Sequence, residues 1–213
     1  MNWYLFLLRT SAGKKMLMAF TGLCMLAFVS VHLLGNLMAF GGADAFNGYA
    51  AKLHSLSPFF ELFNIGLFVI TTIHVCLGVL LYFENRYART EQYEVAADPG
   101  GRTLGSDTMP YTGAAILFFV IIHLFKFTFA DKSETPIYDL MAATFSSFSW
   151  TVFYIAGMAV VGIHLSHGFW SLFQTFGLHH PDHTPLVEQL GLGLSIAIGV
   201  GFSLVPVYLL IFI

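Results

Sequence analysis

Four of the five long apolar stretches hold a histidine well inside them: His32, His74, His123 and His164. An ionisable ring in that setting is costly unless something bonds or binds it. One such ring ordinarily hydrogen-bonds a neighbouring helix. Four on four successive stretches would each carry the cost, which points to shared ligand chemistry. The clearest case is GIHLSHGFWSLFQTFG, Gly162 to Gly177, where His164 follows several turns of apolar and small residues.

Composition decides the solvent those rings see. The 213 residues are 57% hydrophobic and 10% charged, with a mean hydropathy of +0.75. A soluble globule of this length needs more polar surface. The chain therefore reads as an all-α membrane protein, a single domain over residues 1–213 with five transmembrane helices. They are expected at about 15–40, 59–86, 109–130, 147–176 and 187–212, each near or above the ~20 apolar residues that cross a bilayer. Arg9, Lys14, Lys15, Arg86, Arg89 and Arg102 fall on one side, and Lys52, Lys126 and Lys132 on the other. That excess puts the N-terminus in the cytoplasm and the C-terminus outside. The net charge of -3 is spread over loops, without the basic patch that nucleic acid requires. Cys24 and Cys76 have no C-x-x-C spacing and read as small buried hydrophobes. The first apolar run is too long, and lacks the small-residue motif, for a cleaved signal.

Between the spans, residues 1–14 read as a short interfacial helix ending in a turn at Ser11 and Gly13. Residues 41–58 and 131–146 read as outer connections. Residues 88–108, containing Pro99, Gly100 and Gly101, read as a cytoplasmic loop able to dock a soluble partner. The HHPDHTP run, with His179, His180 and His183, reads as a polar inner loop. In the fifth span Gly191, Gly193, Gly199 and Gly201 suit close helix packing. No internal repeat is evident beyond one histidine per helix.

Depth sorts the four histidines into two layers. From the outer helix ends, His32 and His123 lie about 8 to 9 residues in, and His74 and His164 about 16 to 17, a separation of roughly 12 Å. Counted from the inner ends the separation falls to about 5 Å. Both counts pair the first helix with the third and the second with the fourth. Two stacked haems need that arrangement, each iron held by histidines from facing helices of a four-helix bundle. Gly78 and Gly168 follow His74 and His164 by four residues, on the same helix face, where they leave room for a porphyrin or for an ordinary close helix contact. Asn36 and Phe127 stand at the matching outer places, with Gly35 as the candidate small residue there. Histidine-only zinc would need four ligands converging at one depth. Two axial histidines fill an iron, so the expected task is electron transfer.

The run SAGKKMLMAFTGLCMLAFVSVHLLGN, the mid-helix His74 and His123, and HLSHGFWSLFQTFG together resemble the di-haem cytochrome b membrane-anchor subunit of succinate:quinone oxidoreductases, the succinate dehydrogenase and quinol:fumarate reductase family. The resemblance covers nearly the whole chain, including a fifth helix without a ligand. It implies two haem b groups, His32 and His123 on the outer iron and His74 and His164 on the inner. It also implies a flavoprotein carrying FAD, an iron-sulfur subunit on the cytoplasmic face, menaquinone as the quinone, a bacterial inner membrane and a dimer of heterotrimers. The family pattern takes the earlier histidine of HLSH as ligand, leaving His167 as hydrogen-bonder to a propionate or the backbone. Some di-haem members carry a glutamate two residues before that ligand, linked to a proton path; Gly162 stands there, so that path is unsupported.

Further assignments depend on charge near the membrane edges. Ser11, Lys14 and Arg86 on the inner side are candidate propionate partners, or else headgroup contacts, and Lys126 on the outer side either pairs a propionate or snorkels. Quinol oxidation releases protons and needs a titratable group near a haem. His54 and Glu61, beside the second helix, are the candidates. Two other functions fit the composition: the haem b anchor of a hydrogenase or formate dehydrogenase, and a haem-free transporter using histidines for protons or metal.

Overall fold

The computed structural model describes residues 3–88, 104–132, 135–178 and 180–213. Most of the 88–108 loop, with Arg89 and Arg102, and His179 lie outside the described residues. A short helix, α1 (Trp3–Arg9), leads into α2 (Ser11–Leu37). The break is at Thr10 rather than at Ser11 and Gly13, because the Thr10 side chain accepts the Gly13 N–H at 3.0 Å and so caps α2 four residues earlier than expected. Gly13 has its own task there. A Cβ on it would lie 2.2 Å from the Phe6 carbonyl oxygen, so only glycine lets α1 fold back on α2.

The other long helices are α4 (Phe59–Tyr87), α5 (Leu104–His123), α7 (Phe148–Thr175) and α8 (Thr184–Phe212). A π-helical turn, Leu124–Thr128, continues α5 just past His123. Among the described residues, five helices are long and apolar enough to cross a membrane, as expected from composition. Exposed apolar side chains such as Leu34, Phe125 and Leu192 supply the lipid-facing surface. Cys76 is also exposed, against the expectation that both cysteines are buried.

Both connections expected on the outer side contain helices that the sequence reading missed: α3 (Gly42–His54) and α6 (Ile137–Phe145). Asn47 on α3 accepts the Tyr138 backbone N–H at 3.1 Å, satisfying one of the free donors at the start of α6. Phe46, Tyr138, Met141 and Phe145 then join Tyr154, Met158, Val205 and Leu209 in an apolar core. This closes one end of the bundle, here called the capped face. At the opposite, basic face, buried Lys14 on α2 forms an ion pair with Glu84 on α4.

The helices α2, α4, α5 and α7 form a ring of neighbours, with α2 beside α4, α4 beside α5, α5 beside α7 and α7 beside α2. The α4–α5 seam is the sparsest. The diagonal pairs, α2 with α5 and α4 with α7, have no comparable backbone packing. Packed against α7 and α2 from outside, α8 completes the fold. Glycine lets α8 come close: a Cβ on Gly199 would stand 3.2 Å from the Met158 carbonyl oxygen, and one on Gly162 would stand 3.4 Å from that of Ser195.

Candidate cofactor site

Inside the ring runs a lumen of about 2390 Å³. Ordinary ligand pockets hold about 300–1,000 Å³, so this space suits more than one small molecule. Lys15 and Arg86 line it at the basic face, and His54 and Lys132 at the capped face. All four mid-helix histidines line it too, which is why each is only partly buried within its bundle.

The ring order sets the pairing. His32 and His123 come from one diagonal, His74 and His164 from the other. The centroids of the His32 and His123 rings are 6.1 Å apart with planes at 83°. Phe28 stacks on His32 at 5.2 Å, and Phe119 on His123 at 6.1 Å, so aromatic packing fixes both rings. His123 Nδ1 is buried without a hydrogen-bond partner, as are His167 Nδ1 and the Tyr154 hydroxyl, among the described residues. Such orphaned groups beside a lumen fit a bound polar or metal-bearing group better than a purely structural core.

The other pair is held differently. His74 Nδ1 lies 3.1 Å from the Thr21 hydroxyl, and His164 Nδ1 lies 3.1 Å from the Thr112 hydroxyl. Each threonine is followed by a glycine facing the same histidine: a Cβ on Gly22 would stand 3.3 Å from His74 Cε1, and one on Gly113 would stand 3.7 Å from His164 Cε1. Thr21-Gly22 precedes His32 by the same eleven residues that separate Thr112-Gly113 from His123. Helices α2 and α5 therefore repeat one pattern, and this corrects the reading that no repeat exists beyond the histidines themselves. The repeat was visible in the sequence as two Thr-Gly pairs.

These contacts also settle the depth question. Because Thr21 is level with His74, the two layers differ by eleven helical residues, or about 16 Å at 1.5 Å each. The α5 pair, Thr112 level with His164 and His123 eleven residues on, returns the same spacing. Of the two sequence-based separations the larger is nearer.

Around the deeper pair the expected space exists. A Cβ on Gly168 would meet nothing within 4 Å, and one on Gly78 would meet only the Met18 terminal methyl at 3.3 Å. Gly35 does not serve the His32–His123 pair in this way, since the Tyr49 ring occupies its open side with its hydroxyl 2.7 Å from where a Cβ would be.

The chain is 28% identical over 179 residues, 84% of each chain, to the "Succinate dehydrogenase cytochrome b558 subunit" of Bacillus subtilis (strain 168). This chain is similar to a succinate dehydrogenase cytochrome b subunit. The likeness read from the histidine motifs is thereby borne out. No protein-family model and no solved structure matches the chain.

With the cytochrome b likeness in place, the remaining candidate residues divide by position. Arg86 lines the lumen at the basic face, whereas Lys14 is engaged by Glu84 and exposed Ser11 lies off the lumen wall. Lys15, one residue from Lys14, lines the lumen and was passed over as a topology signal. Lys126 is turned onto the Trp150 ring, 4.8 Å from its centroid, and lies off the lumen wall. His167 lines the lumen, close to α5, where Gly105 admits its Cβ. At the capped face His54 reaches the lumen, while Glu61 accepts the Ser57 hydroxyl at 2.8 Å and does not line it. Gly162 faces Ser195 on α8 and is likewise off the lumen wall.

Proposed function

We propose that this chain is the membrane-anchor subunit of a succinate dehydrogenase or fumarate reductase complex, and that it carries two bis-histidine b haems. His32 and His123 would hold the iron nearer the capped face, His74 and His164 the one nearer the basic face. The observation that carries the reading is the double diagonal: two histidine pairs, one above the other, across a single lumen that passes through the bundle. Bound haems would supply one-electron carriers along that lumen. The two histidine pairs, about 16 Å apart along the helices, would seat them, and the apolar walls would exclude water.

Electrons would pass between a membrane quinol, menaquinol by resemblance, and an iron-sulfur subunit docked with its FAD-bearing partner at the cytoplasmic basic face. Lys15 and Arg86 offer positive charge at that mouth for haem propionates. At the capped face His54 is the proposed acceptor of quinol protons. Its Nδ1 lies 2.8 Å from the Ala50 carbonyl. A carbonyl only accepts, so Nδ1 carries the hydrogen and Nε2 is left with a lone pair for a substrate proton.

A haem count tests the core of this reading. The pyridine haemochrome of the purified chain should give two b haems per chain, and none would favour a haem-free transporter. Copurification with a flavin and iron-sulfur clusters distinguishes this anchor from that of a hydrogenase or a molybdenum-containing formate dehydrogenase. His54→Ala should slow quinol oxidation by about 10²-fold, the lower end for a general base, with both haem spectra intact. Unchanged turnover would remove His54 from the quinol site.

A further inference from the structure

The Thr21 hydroxyl has a single proton and two backbone acceptors for it, Leu17 at 3.0 Å and Met18 at 2.9 Å. A hydroxyl already donating can only accept from a third partner. With that proton on a carbonyl, His74 Nδ1 carries a hydrogen and donates it to Thr21, and the Met18 carbonyl is a second acceptor for His74. Thr112 repeats the arrangement, donating to Thr108 at 3.0 Å or Met109 at 3.1 Å and accepting from His164. In both neutral rings the lone pair is then on Nε2. Water does not compete, since Thr21 is 2% exposed and Thr112 7%.

The other pair lacks this device. His123 Nδ1 has no partner among the described residues. The Asn36 amide lies 3.4 Å from His32 Nε2, but its firm bond is to the His32 carbonyl at 2.8 Å.

We propose that Thr21 and Thr112 are positioning residues: they present the Nε2 atoms of His74 and His164 to one shared iron and strengthen both as donors. This rests on the haem reading above. Its particular content is a crossed arrangement, in which α2 and α5 give their histidines to one iron and their threonines to the other. A hydrogen bond accepted from Nδ1–H enriches the ligand nitrogen and favours the ferric state, so each threonine lowers the midpoint potential of the iron that its own helix does not ligate.

Redox titration of the intact complex, followed by visible absorbance, tests this with Thr21→Val, Thr112→Val and Thr21→Ser. Both valine variants should raise the midpoint of the same haem, the one lost on His164→Ala, and leave the other unmoved. Serine, which keeps the acceptor, should restore the wild-type value. If the valine variant does not assemble, Thr21→Ala is read in the same way. Two haems with both midpoints unmoved would overturn the proposal alone, as would a shift confined to the haem lost on His32→Ala. A wild-type complex without haem would overturn the haem reading and this proposal with it.

Discussion

Replacing His164 with alanine is expected to lower the haem content from two to one per chain, while His167→Ala leaves both. The reason is geometric. His167 is three residues further along α7, about 4.5 Å down the axis and some 60° around it. It reaches the lumen but not the position from which His164 faces the opposite diagonal. The second haem should survive because its ligands lie about 16 Å away along the bundle and rest on separate aromatic contacts with Phe28 and Phe119. His74→Ala should remove the same haem as His164→Ala, and His32→Ala and His123→Ala should both remove the other. A pyridine haemochrome count with reduced-minus-oxidised spectra of the five variants reads the result. Two haems in His164→Ala, or the loss of different haems in His74→Ala and His164→Ala, would dismantle the diagonal pairing.

The histidines were legible because a titratable ring in an apolar stretch has few other uses, and because four of them share one spacing logic. Their depth was not, since it depends on helix ends. Thr10 starts α2 four residues earlier than hydropathy suggests, and α5 begins at Leu104, five residues before the expected 109. Thr21 and Thr112 were overlooked because a threonine in an apolar helix usually satisfies its hydroxyl on its own preceding turn. These two do so as well, and still accept from a histidine. The repeated Thr-Gly was the available signal. Helix α6 could also have been found, from Pro136 at its start and Asp139 in its first turn. Other facts needed three dimensions. That Gly35 accommodates Tyr49, or that Lys126 lies over Trp150, follows from the way α3 and α7 pack, which no local pattern encodes.

Gly162→Glu should sharply reduce the amount of haem-loaded chain in the membrane instead of creating a proton path along the lumen. Glycine at this position, in place of the glutamate carried by some di-haem members of the family the sequence resembles, has a local structural reason. Gly162 lies at the crossing of α7 and α8, where a Cβ would stand 3.4 Å from the Ser195 carbonyl oxygen and where Gly199 approaches it from the other helix. Ser195 is itself buried. A longer side chain must push apart a pair of helices held by close contact, and a carboxylate would be brought against a carbonyl oxygen. An acidic residue in mid-span costs about 2.5–3.5 kcal/mol on insertion scales, before any loss of α7–α8 packing. Accumulation should therefore fall by at least tenfold relative to wild type, measured as haem and chain per milligram of membrane protein. Gly162→Ala is the control: its single methyl makes an ordinary van der Waals contact and should accumulate normally with two haems. If Gly162→Glu accumulated like the alanine variant with both haems bound, α8 would not be packed against this face of α7. Gly162 would then be available to the lumen after all, and its identity would be a matter of proton chemistry and not of helix contact.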